Sequence, residues 1–62
     1  MKKILLLANL NKDNLAKLEE ALVDTGLKYE VSLKNQMLAV HGDNDDLYRA
    51  RVALLAQGFI IK

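Results

Sequence analysis

The chain of 62 residues has no cysteine and no proline, only three glycines, and two tyrosines and one phenylalanine as its aromatic residues. Without cysteine, neither a disulfide framework nor a thiolate metal cage can supplement the core. Without proline, low-complexity tracts or internal repeats of solenoid type, nothing interrupts the order of elements, and the chain reads as one domain over residues 1–62. An RNA-recognition sheet stacks bases on aromatic residues of its central strands. Leu5, Leu7 and Ala39 stand there instead. Neither sign of charge prevails: nine basic and eight acidic residues leave a net charge of +1, too little to attract nucleic acid or an anionic membrane. Long hydrophobic runs are missing as well. Met1-Lys2-Lys3 before Ile4-Leu5-Leu6-Leu7-Ala8 faintly mimics a signal peptide, but the run is too short and soon meets Asn9 and Asn11. It falls far below the roughly 20 apolar residues that span a bilayer. A buried strand and a cytoplasmic protein are therefore expected.

What remains is packing. Hydrophobic residues make up 52% of the chain, enough to attempt a core at a length near the lower limit for independent folding. Residues 3 to 8 read as a strand whose continuous apolar run, Ile4 to Ala8, is that of a central strand. Asn11, Asp13 and Asn14 then offer side-chain oxygens to the free amides of a helix start, and Leu15, Leu18, Ala21 and Leu22 recur at helical spacing until Gly26 ends the helix. From Leu27 the period changes to two, with Leu27, Tyr29, Val31 and Leu33 alternating with Lys28, Glu30, Ser32 and Lys34. Lys34-Asn35-Gln36 turns the chain into Met37-Leu38-Ala39-Val40-His41, which predicts a hairpin. Gly42-Asp43-Asn44-Asp45-Asp46 caps a second helix whose inward stripe is Leu47, Ala50, Ala53 and Leu54. Gly58 closes that helix, and Phe59-Ile60-Ile61 is expected to form a last, short strand.

This order predicts an α+β fold, a ferredoxin-like βαββαβ two-layer sandwich with two helices on one face of a four-stranded antiparallel sheet. The expected sheet side of the core is Ile4, Leu6, Val31, Leu33, Leu38, Val40 and Ile61. Leu5, Leu7, Met37, Ala39 and Ile60 would then point outward on the open face, more apolar than solvation requires. Tyr48, Val52 and Leu55 form a further stripe on the second helix.

Leu18-Glu19-Glu20-Ala21-Leu22, its spacing to the hairpin, and the ending Ala53-Leu54-Leu55-Ala56-Gln57-Gly58-Phe59 resemble the heavy-metal-associated domain of copper chaperones and metal-ATPase tails. The resemblance covers nearly the whole chain. It implies a Met-x-Cys-x-x-Cys motif between the first strand and first helix, where two thiolates hold a soft ion. Alignment on Leu18 places the cysteine positions at Asn11 and Asn14 and the methionine position at Asn9, so every member of the motif is a carboxamide. A neutral Asn oxygen is a hard, weak donor and cannot replace the thiolate that selects copper(I) or zinc. Asp13 adds one carboxylate to that loop, short of the six to eight oxygens calcium usually takes. His41, the single histidine, stands beside Gly42 and Asp43 with no second imidazole or thiol to complete a site.

Catalysis finds no support. There is no glycine-rich phosphate loop, no cysteine nucleophile, and no counterpart in Asn9 to Asn14 of the arginine loop of acylphosphatases, which share this element order. Arg49 and Arg51 read as solvated charge on a helix. The expectation is a small non-catalytic binding or interaction module without cofactor, working on a protein partner or on itself through the open sheet face. Its rival is a metal carrier with oxygen and imidazole ligands from the first loop and His41.

Overall fold

A computed structural model describes residues 1–62. Its elements are β1 (Lys2–Leu6), α1 (Leu15–Thr25), β2 (Lys28–Ser32), β3 (Met37–His41) and α2 (Asn44–Ala56). The α+β class holds, with both β1 and β2 antiparallel to a central β3. The four-stranded sheet does not: the sheet has three strands in the order β1-β3-β2, and the segment expected as a fourth contributes one isolated bridge, Leu7 to Ile61. The reason lies in Asn9. Its carboxamide accepts from the Ile60 amide at 3.0 Å and donates to the Gly58 carbonyl at 3.2 Å, so a side chain takes backbone groups that a longer ladder would pair. Phe59, buried between them, anchors the segment in the core.

The helices follow the periodicity of their sequences. Leu18, Ala21 and Leu22 of α1 and Ala50 and Leu54 of α2 are buried, and Leu15 and Leu47 pack at the margin of the same cluster. Gly26 ends α1 at φ 75°, a left-handed conformation costly to any residue with a Cβ, and its amide donates to the Val23 carbonyl. Arg49 of α2 donates to the Thr25 carbonyl at 2.6 Å and pairs with Asp46 at 3.2 Å, tying α2 to the end of α1.

The sheet differs from expectation in the orientation of β1. Leu5 lies opposite Leu38 and Lys3 opposite Val40, which places the odd-numbered residues of β1 beneath the helices. Leu5 is 7% exposed and Leu7 fully buried, whereas Ile4 and Leu6, expected inside, are 49% and 47% exposed on the other face. A continuous apolar run carries no period-two signal, so only its pairing with β3 determines which residues face the core. Leu38, Val40, Val31 and Ile61 do join the core or its margin, but Leu33 lies exposed where the hairpin turns.

Candidate binding face and first loop

The first loop is a closed network of side-chain to backbone hydrogen bonds. Asn11 Oδ1 accepts from the amides of Asp13 at 2.8 Å and Asn14 at 3.0 Å, while Asn14 Oδ1 accepts from the Asn11 amide at 2.8 Å. These bonds close the turn from Asn11 to Asn14 that leads into α1. The helix's own N-cap, Asn14, makes no side-chain capping bond, contrary to the expectation that these oxygens would serve the helix amides. Asn14 Nδ2 donates to the Asn9 carbonyl at 2.7 Å, and Asn9 holds the C-terminal segment. The carboxamides of Asn9, Asn11 and Asn14 thus all engage the backbone. Asp13 contributes its amide to the loop but no side-chain hydrogen bond.

Gln36 was not singled out by its sequence context. It adopts φ 55° at the end of the hairpin turn, and its side chain reaches the first loop: Oε1 accepts from the Leu10 amide at 2.9 Å, and Nε2 donates to the Leu10 carbonyl. Leu7 also donates to the Gln36 carbonyl, at 2.8 Å. The loop is therefore fastened to the Met37 end of β3. His41 ends the same strand four steps away, roughly 13 Å at about 3.3 Å per residue. Asp13 and His41 are not brought together, and no three His, Asp or Glu residues converge anywhere in the chain.

The open face has an apolar centre and a charged end. Register places Ile4 beside Ala39 and Glu30, Leu6 beside Met37 and Ser32, and Lys2 beside His41 and Lys28. Ile60, 57% exposed, lies on the same side, because its neighbour Ile61 faces the core opposite Leu7. Of the residues expected on this face, Met37, Ala39 and Ile60 are there. Leu5 and Leu7 belong to the core, and Ile4 and Leu6 take their places.

At the charged end, Lys2 Nζ lies 3.1 Å and His41 Nε2 3.6 Å from Glu30 Oε2. The Lys2 ammonium, by hydrogen bond and attraction, holds the Glu30 carboxyl below its ordinary range, and His41 adds to the effect. All three side chains are largely exposed, so the cluster orders the surface more than it stabilises the fold. The hollow between Ile4, Met37, Ala39 and Glu30 measures about 190 Å³, below the ~300 Å³ at which small-molecule pockets begin. On the opposite layer, Tyr48, Val52 and Leu55 of α2 are exposed.

No family model matches the sequence, and neither a curated protein nor a solved structure is significantly similar to it. No helix is long and apolar enough to cross a membrane.

Proposed function

We propose that this chain is a small non-catalytic binding module, built on a scaffold like the heavy-metal-associated domain but without its soft-metal ligands. It acts through the open face of the sheet on an apolar protein surface. The observation that carries the reading is the cluster of half-exposed Ile4, Leu6 and Ile60 around Met37 and Ala39, with the ions of Lys2, Glu30 and His41 at one end. An apolar centre with a charged rim is the composition of protein interfaces. The shallowness of the hollow beside Ile4 favours a broad, flat occupant over a small molecule.

The test is site-specific photo-crosslinking in the source cell, with the probe placed at Leu6 or Ile60 on the open face and at Lys17 or Glu20 on the exposed side of α1. A discrete protein adduct from the sheet positions alone is expected. No adduct, or the same adducts from Lys17 and Glu20, overturns the proposal. Titration with copper(I), zinc and calcium, read at the backbone amides of Asn11 to Asn14, tests the loss of metal binding. Shifts that saturate at micromolar metal would return the chain to the metal carriers.

A further inference from the structure

We propose that the outer edge of β2 pairs with β2 of a second copy of this chain, antiparallel and centred on Tyr29, to form a six-stranded sheet. The backbone directions come first. The Gly42 amide donates to the Met1 carbonyl at 2.7 Å and the Leu7 amide to the Gln36 carbonyl at 2.8 Å. In an antiparallel ladder bonded and non-bonded pairs alternate, so Leu38 and Val40 turn their amides and carbonyls toward β1. Met37, Ala39 and His41 turn theirs toward β2, where they meet Ser32, Glu30 and Lys28. Leu27, Tyr29 and Val31 consequently direct their backbone groups outward, along an edge with no neighbouring strand.

Charge then selects the register. A two-fold axis through Tyr29 sets Lys28 opposite Glu30 of the second copy, twice, in the non-bonded pairs where side chains approach most closely. An axis through Glu30 would set Glu30 against itself, and one through Val31 would set Lys28 against Lys34. Of the registers centred on Lys28, Tyr29, Glu30 and Val31, only the Tyr29 register is free of like-charge pairs, and an axis through Ser32 would pair the turn beyond β2 rather than the strand. It also sets Leu27 opposite Val31 and Tyr29 opposite Tyr29 on the helix side, and these residues already pack at the margin of the core. The cores of the two copies would meet across the joint. The Leu27 amide is held by Thr25 Oγ1 at 3.3 Å, so four new backbone hydrogen bonds form without disturbing it: two between the Tyr29 residues and two from Val31 to Leu27. The opposite edge offers no such match. On β1 the Ile61 bridge occupies the Leu7 end, and Lys2 and Lys3 would repel their copies at the other.

This pairing leaves the open faces of both copies exposed and continuous, so it stands or falls separately from what binds there. Sedimentation velocity on wild type, Lys28→Glu, Glu30→Lys and an equimolar mixture of the two variants tests it, with circular dichroism confirming that each is folded. Wild type is expected to dimerise. Each variant alone, with like charges facing each other, should associate at least about tenfold more weakly. The mixture should recover dimers, because Lys28→Glu makes both facing positions acidic in one chain and Glu30→Lys makes both basic in the other. Wild type that stays monomeric to millimolar concentration, single variants that dimerise as wild type does, or a mixture that remains monomeric would each overturn the proposal.

Discussion

Asn11 occupies the bend between β1 and α1, where the proposed heavy-metal-associated scaffold would carry a metal-binding thiolate. Here its oxygen accepts the amides of Asp13 and Asn14 and closes the turn that precedes the helix. That these asparagines turn the chain into a helix is evident from their place before a periodic run. That Asn14 returns the bond, and that Gln36 fastens the loop from 26 residues away, is not, because neither contact has a local signature. If the loop keeps the geometry of its thiolate counterparts, Asn11→Cys combined with Asn14→Cys should create a site that takes up copper(I), with the helix start favouring the thiolate form. Absorbance titration under anaerobic conditions should show uptake by the double variant and none by the parent.

At the scale of elements, β1 is the informative case. Its strand nature is plain in the sequence, but a run of five apolar residues can face either way, and the assignment is made by the partner strand. Leu5→Lys should therefore bury a charge beneath the helices and cost about 3 kcal/mol or more, while Ile4→Lys should remain within about 1 kcal/mol of wild type. Urea denaturation compares the two directly, and equal losses would contradict the orientation described above. The start of α2 is simpler, since acidic residues before a helix announce their role. Asp43 accepts from the Asp46 amide at 2.9 Å while Asp46 Oδ2 accepts from the Asp43 amide at 3.2 Å. Hydrogen bonding from the Asp46 backbone holds the Asp43 carboxyl below its usual range. A lowered folded-state value means the stabilisation is complete above the unfolded-state value of about 3.9 and disappears as pH falls through the folded one. Helix content followed by circular dichroism should therefore decline more steeply below about pH 4 in wild type than in Asp43→Asn, which retains a capping oxygen but does not titrate.

For the whole molecule, size dominates. A single core in so short a chain supplies on the order of 3–5 kcal/mol, and no disulfide adds to it. Leu22, fully buried on α1, would cost about 2–5 kcal/mol if cut back to alanine. Leu22→Ala should consequently be largely unfolded at room temperature, which a thermal melt would reveal as a missing or strongly lowered transition. The layering of two helices on a sheet was legible because it depends on periodicity and glycine stops. The shortening of the sheet to three strands was not, because it depends on one asparagine side chain meeting backbone 49 and 51 residues away.

The clasp between Gln36 and Leu10 joins the two connections at one end of the sheet through a single side chain. The Leu10 amide proton is thereby shielded only while those connections stay together, so its exchange with deuterium reports how often they part. In Gln36→Ala that proton should exchange far faster, while amides in the middle of β3 keep their protection, and the bend could open without the rest of the protein coming apart.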